Sequence, residues 1–251
     1  MHRFYLPPEQ SQGPTLTLSG RETHHAVGVL RLRRGERVTV LNGVGGELIC
    51  DVEQVDRRRV TLGVLERRTV PPLPLQVTLL QALPKGKAFE AIIQKATELG
   101  AFRLVPLRSE RVVAAPVGAK EAAEKIEKWR LIAVEAIKQC GSAWLPQIEP
   151  ALTPKQFLDR KEEFELPLLA SLHSGARHPR EYFAAFRAEQ GRMPRSMCVW
   201  VGPEGDFTSD EVAMITAAGA RPMTLGRLVL RTDTAATYCL SIINYELQAP
   251  F

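Results

Sequence analysis

Two stretches carry the residues whose types and spacing can do chemistry: Met197–Glu211, MCVWVGPEGDFTSDE, and Leu225–Ala236, LGRLVLRTDTAA. In the first, an apolar strand ending at Val201 runs into Gly202-Pro203-Glu204-Gly205 and then a helix start. Glycine adopts backbone conformations closed to other residues and lets a ligand approach the main chain. Thr208 and Glu211 have the pattern of a capping box, in which each side chain accepts from the other's backbone amide. The second stretch repeats the logic: strand residues to Leu225, then Gly226, an apolar turn, Arg231 and a helix beginning near Thr232. Two such junctions set exposed amides and carbonyls side by side. An α/β sheet binds a polar cofactor there, at the carboxyl ends of its strands.

The elements that must hold these junctions are legible in outline. Val70-Pro71-Pro72-Leu73-Pro74 cannot continue a central strand or helix, so it reads as an extended connector between two domains, 1–70 and 71–251. Before it lie short strands, Arg37–Leu41, Glu47–Val55 and Val60–Glu66, with Asn42-Gly43 and Gly45-Gly46 turning between the first two. One helical patch covers Glu22–Leu30. This spacing predicts a small β-barrel. After the connector, strands alternate with helices, the mark of a parallel α/β sheet. Leu75–Ala82, Leu104–Leu107, Leu166–Leu172 and Met197–Val201 are the expected strands. A helix through Phe89, Ile92, Ile93, Ala96 and Leu99 is followed by Ala119–Cys140, Pro179–Gln190, Ser209–Ala218 and Thr232–Leu247. The last is apolar on more than one side (Tyr238, Leu240, Ile242, Ile243, Tyr245, Leu247), so it is buried in a core or against another subunit.

Composition excludes several classes. No run of 18 apolar residues exists, so no membrane span is expected, and the first ten residues lack the apolar stretch of a secretory signal. Cys50, Cys140, Cys198 and Cys239 show no paired spacing, so buried, reduced thiols of a cytosolic protein are expected. His24 and His25 are neighbours on a helix and cannot converge on one ion; no metal is expected. A dinucleotide-type G-x-G-x-x-G is absent, which argues against a Rossmann enzyme. The net charge of +5 fits a nucleic-acid partner without requiring one. Its distribution says more, because residues 1–70 hold eleven arginines and no lysine against eight acids. Arginine's planar fork suits phosphates. Arg57, Arg58 and Arg59 read as a solvated hairpin tip.

The pair GPEGDFT and LGRLVLRTDTA closely resembles the signature of the bacterial 16S ribosomal RNA uridine-N3 methyltransferases, a family of the trefoil-knotted SPOUT superfamily. The resemblance covers nearly the whole chain, through His24–Val38, Gln94–Ala101, Pro106–Val113 and Ala136–Pro146 in the family's order. Asp206 stands where the family usually has a second glycine, Asp233 where it has Glu, and Ser142 where a basic residue is common. The resemblance implies a PUA-like RNA-binding barrel followed by a SPOUT-type α/β domain. Its deep C-terminal knot would thread the loops Gly202–Phe207 and Leu225–Arg231 past one another. It also implies a cytoplasmic homodimer that uses S-adenosylmethionine to methylate uracil 1498 of 16S rRNA in the 30S subunit.

Residue by residue, the cofactor would be held by Val201, Gly202, Pro203, Glu204, Gly205, Leu225, Gly226, Leu228, Leu230 and Thr234, with Leu172 and His173 at the edge. Core packing is the alternative for Leu228 and Leu230, in a segment that favours the cofactor role, and His173 reads equally as a hydrogen-bonded structural histidine. Methyl transfer to uracil needs an aligned donor, an N3 stripped of its proton, and a base drawn out of its stack. Arg231 is the candidate to stabilise negative charge on uracil oxygens. Glu204 is the candidate proton acceptor, or else it holds the loop by accepting backbone amides. Asp206 and Asp233 read as helix caps, Glu98 and Arg111 as ion-pair members. Arg3, Arg31, Arg33, Arg34, Lys85 and Lys87 are the expected phosphate contacts.

Overall fold

The structure, a computed structural model, describes residues 1–112, 118–172 and 175–247. The chain divides into two compact units, Met1–Pro72 with Val134–Leu145, and Leu73–Ala133 with Pro146–Phe251.

In the first unit β1 (His2–Tyr5), β2 (Thr15–Leu18), β3 (Arg37–Leu41), β4 (Gly46–Val55) and β5 (Val60–Thr69) form one sheet, in the order β1-β3-β4-β5-β2. All neighbours are antiparallel except β1 and β3. Phe4, Leu16, Leu18, Val38, Val40, Val52 and Leu62 fill its core. The Asn42 side chain accepts from the amides of Val44 (2.9 Å) and Gly46 (2.7 Å), which makes the expected turn. The Asp56 amide donates to the Arg59 carbonyl at 2.9 Å, leaving Arg57, Arg58 and Arg59 exposed on a hairpin tip. The helical patch is a short α1 (Gly20–His24) that widens into one π-turn, His25–Val29.

A long-range tie explains why Val134–Leu145 joins this unit. Glu22 is buried, accepts from the Tyr5 amide at 3.3 Å, and pairs with the Lys138 ammonium at 2.9 Å. Two buried charges are tolerable only when paired like this.

The second unit contains β6 (Gln76–Ala82), β7 (Arg103–Leu107), β8 (Gln147–Ile148), β9 (Leu166–Ala170), β10 (Ser196–Val201) and β11 (Arg221–Met223). They make one sheet, β11-β9-β10-β6-β7-β8, parallel throughout. Its inner strands bury both faces, hence their unbroken apolar runs. The unit also contains α2 (Ala88–Glu98), α4 (Pro154–Leu158), α5 (Pro179–Gln190), α6 (Ser209–Ala217), α7 (Thr232–Leu247) and the part of α3 (Ala119–Cys140) up to Ala133. Trp200 on β10 packs edge-on against Phe157, 5.4 Å between ring centres. The helix α7 buries Cys239, Leu240 and Ile243 among α2, α5 and β10 and leaves Tyr238 and Tyr245 exposed.

Cys50, Cys198 and Cys239 are buried free thiols, pushed up by burial to about 11, 12 and 12 respectively. Cys140 corrects the expectation of four buried thiols: it is exposed at the last turn of α3, where the buried stripe runs out. Among the described residues no helix is long and apolar enough to cross a membrane, and no three His, Cys, Asp or Glu side chains cluster as metal ligands.

Candidate active site

The loop after β10 is tightly wound. A Cβ added to Gly202 would come within 2.8 Å of the Asp206 carboxylate and 3.2 Å of the backbone of Asp206 and Phe207, so only glycine fits. The Asp206 amide closes the turn on the Pro203 carbonyl at 2.9 Å. Asp206 itself has φ +61° and accepts from the next amide, Phe207, at 2.8 Å. That left-handed conformation is why glycine is the usual residue there, and a short side chain bonded locally is the tolerated substitute. It also corrects the reading of Asp206 as a helix cap.

Thr208 is the cap. Its hydroxyl accepts from the Glu211 amide at 3.3 Å and the Glu211 carboxylate from the Thr208 amide at 2.9 Å. The second carboxylate oxygen of Glu211 accepts from the Glu110 amide at 3.0 Å, and the Arg111 guanidinium donates to the Gly205 carbonyl. The segment Pro106–Val112 is thus stapled to the loop. Arg111 acts on a backbone carbonyl and has no ion pair among the described residues, whereas Glu98 pairs with Lys95 on its own helix at 2.8 Å.

The second loop leaves β11 at Met223 and reaches α7 at Thr232, turning at Gly226 with φ +109°. The buried Thr232 hydroxyl donates to the Gly202 carbonyl at 2.7 Å and accepts from the Gln81 side-chain amide at 2.9 Å. Gln81, fully buried at the end of β6, also donates to the Ala82 carbonyl at 2.9 Å. This chain of bonds joins both loops to the sheet. Sequence reasoning missed Gln81 and the tie made by Thr232. The available signal was Gln81 itself, an amide next to the end of the apolar run Leu75–Ala82, since a buried polar group must find partners.

Between the loops lies a cleft of about 230 Å³ at the carboxyl ends of β9, β10 and β11. Of the residues expected to hold a cofactor, Leu172, Val201, Gly202, Pro203, Glu204, Leu225, Gly226, Leu228 and Leu230 line it. Gly205 and Thr234 do not, and His173 lies outside the described residues. Ser171, Asp206, Thr224, Arg227 and Thr232 also line it, though the sequence did not assign them to the cofactor. Leu228 is 78% exposed, which rules out core packing for it. The amides of Leu225, Leu228 and Leu230 meet no acceptor among the described residues. Free donors beside apolar walls suit a ligand with a heteroaromatic ring.

Arg231 is exposed and does not itself line the cleft, although its neighbours Leu230 and Thr232 do. Its carbonyl starts α7 by accepting from the Ala235 amide at 2.8 Å, and its guanidinium has no carboxylate partner among the described residues. Glu204 is exposed and accepts from the Lys85 amide at 3.0 Å. Lys85 and Lys87 are exposed in the loop between β6 and α2. In the first unit Arg31, with φ +52°, Arg33 and Arg34 are exposed. Arg3 instead donates to the carbonyls of Lys138 (3.3 Å) and Gln139 (3.1 Å) at the end of α3.

Comparison with known proteins places this geometry. The RNA methyltransferase domain family matches residues 71–244, and the RNA methyltransferase PUA domain family matches residues 18–65. The ribosomal RNA small subunit methyltransferase E of Bacillus subtilis is 32% identical over 99% of this chain and 98% of its own. The chain belongs to this RNA methyltransferase family. Among solved structures, a Legionella pneumophila chain described as a methyltransferase with bound cofactor SAM superposes on it. Its TM-score is 0.86, with 31% identity over 97% of this chain and 96% of the other. The ribosomal RNA small subunit methyltransferase E of Neisseria gonorrhoeae, bound to S-adenosylmethionine, gives 0.84 with 28% identity over 98% and 97%. This methyltransferase therefore has an α/β catalytic fold with a PUA-like domain at its N-terminus.

Proposed function

We propose that the chain methylates N3 of uracil 1498 in 16S rRNA of the small ribosomal subunit, with S-adenosylmethionine as donor. The observation that carries this reading is the cleft between two loops joined by Thr232, with its open amides at Leu225, Leu228 and Leu230. Those amides suit the edge of an adenine and the leucine side chains its faces, so the residues present fit the cofactor. Bound there, S-adenosylmethionine supplies a methyl group made electrophilic by a sulfonium.

The chain's own residues do the rest. Val201, Gly202 and Pro203 shape one wall, and Gly226 turns the other towards it. Leu172, Gly205 and Thr234 form the periphery of the site. Arg231, with no carboxylate to neutralise it among the described residues, stabilises the negative charge that develops on the uracil oxygens. Glu204 takes the N3 proton; its hydrogen bond to the Lys85 amide holds the carboxylate at the mouth of the cleft. Arg31, Arg33, Arg34 and Arg3 in residues 1–70, a PUA-like barrel, contact rRNA phosphates, as do Lys85 and Lys87 in 71–251.

Residues 71–251 form a SPOUT domain in which 202–207 and 225–231 thread a deep trefoil knot. The hydrogen bond between Thr232 and Gly202 across these loops supports that topology. Exposed Leu228, Val229, Tyr238 and Tyr245 support a homodimer built on α7. The compartment is the cytoplasm, where ribosomal RNA is modified.

Labelled S-adenosylmethionine and 30S subunits lacking the modification, followed by nucleoside mass spectrometry, test the proposal. The expected product is 3-methyluridine. A ribose-methylated nucleoside, or no transfer at all, overturns it.

A further inference from the structure

A second pocket, of about 350 Å³, opens in the catalytic unit beside the cofactor cleft. The two share one wall residue, Glu204. Phe89 and Trp129 form its floor, both buried, with ring centres 4.6 Å apart and planes at 60°. Three cations, Lys85, Arg111 and Lys125, stand around it. The Lys125 ammonium lies 5.5 Å from the centre of the Trp129 ring, an attraction that holds this flexible side chain on the pocket.

The charges in the pocket do not cancel. Glu90 is neutralised by Lys128, and the Glu204 carboxylate is engaged by the Lys85 amide. The ammonium groups of Lys85 and Lys125 have no carboxylate partner among the described residues. Arg111 uses part of its guanidinium on the Gly205 carbonyl and keeps other donors for a ligand. Such a pocket calls for an anion with an apolar body, larger than a bare phosphate.

We infer that this pocket receives the extruded target nucleotide, its phosphate against Lys85, Lys125 and Arg111 and its base edge turned to Glu204. The inference rests on the proposed methyl transfer and assigns the acceptor's place in it. A base must leave its stack to expose N3, and it must then lie next to the cofactor. The pocket meets both needs, because its shared wall is the residue proposed to take the proton.

Steady-state kinetics on 30S subunits at one fixed salt concentration tests this, using wild type, Lys85→Gln/Lys125→Gln, and Lys120→Gln. Lys120 lies on the same helix as Lys125 but outside the pocket, so its variant controls for loss of positive charge. The double variant should raise KM for 30S at least tenfold, while its Kd for S-adenosylmethionine and its thermal midpoint stay at wild-type values. The Lys120 variant should keep the wild-type KM. Uridine 5′-monophosphate should compete with 30S at least tenfold more tightly than inorganic phosphate does, and lose that advantage in the double variant. An unchanged KM, an equal effect of Lys120→Gln, equal competition by phosphate, or a weakened S-adenosylmethionine Kd would each overturn the assignment. Absence of methyl transfer by the wild type would instead sink the function proposed above, and the same nucleotide competition, read as displacement of bound 30S by filter binding, would still judge the pocket.

Discussion

The Thr232 hydroxyl donates to the Gly202 carbonyl at 2.7 Å, so the first residue of α7 is fastened to the loop that leaves β10. Behind it the Gln81 amide donates to the same hydroxyl at 2.9 Å. Thr232→Val keeps the shape and removes both bonds, leaving the buried Gln81 amide with only its Ala82 bond and the Gly202 carbonyl without this donor. Leaving such groups unsatisfied costs about 1–3 kcal/mol. Urea unfolding should show that loss, calorimetry should show weaker S-adenosylmethionine binding, and Thr232→Ser should restore most of both.

The two loops were legible because their chemistry is local. The pair Thr208 and Glu211 announces a helix start by spacing alone, and the structure has that capping box. The same pattern, Thr153 with Gln156, opens α4, a helix that the sequence reading passed over. Strand β1, at four residues, shows no two-residue period, β2 alternates (TLTL) but over only four residues, and β11 contains Pro222. Gln81 was visible only as an anomaly, because its partner Thr232 lies 151 residues away. Nothing local marks Glu22 as the partner of Lys138, 116 residues on. Assigning Val134–Leu145 to the first unit was equally out of reach.

That pairing has a measurable cost. The Glu22 and Lys138 side chains are 12% and 5% exposed. Glu22→Gln leaves a buried ammonium that retains only Glu135, a half-exposed carboxylate at 2.8 Å. Breaking a buried pair costs about 3–5 kcal/mol, and the remaining partner should reduce this to about 2. The double variant Glu22→Met/Lys138→Met removes both charges together and should be less destabilised than Glu22→Gln. Chemical denaturation of the three proteins compares them directly.

The Glu165 carboxylate sets an acid-sensitive part of the stability. Its two oxygens accept from the Arg192 guanidinium at 2.6 and 3.0 Å, and one also accepts from the Arg195 amide at 2.6 Å. The Arg192 bonds foremost, then the Arg195 amide, lower its pKa from the ordinary 4.5 to about 2. A carboxyl depressed in the folded state stabilises fully above its unfolded value, and that contribution is lost as pH falls through the folded one. The window therefore runs from about 4.5 down to about 2. Glu165→Gln should be less stable than wild type at neutral pH. Urea midpoints should converge across this window, the wild type falling more steeply.

Arg31, Arg33 and Arg34 follow one another on an exposed turn whose backbone is fixed by the Gly35 amide on the Val52 carbonyl at 2.8 Å. Replacing all three by Gln should leave the fold intact and weaken 30S binding. If each contacts one phosphate, the slope of log affinity against log salt should shrink by about two to three. Filter binding from low to moderate salt reads that slope, and an unchanged one would remove these arginines from the RNA contact.

Arg231 poses the sharpest test of the chemistry, because its two parts do different work. The carbonyl starts α7, and any residue supplies that; the guanidinium belongs to an exposed residue set between two that line the cleft, and it has no carboxylate partner among the described residues. Removing one group that stabilises charge only in the transition state lowers kcat by about 10²–10³. Arg231→Ala should show that loss with S-adenosylmethionine affinity and unfolding midpoint unchanged. Arg231→Lys keeps the charge but not the planar fork, and should fall between the two. Should the Ala variant turn over normally, the charge on the uracil oxygens must be met elsewhere, and Arg227, which does line the cleft, becomes the next arginine to replace.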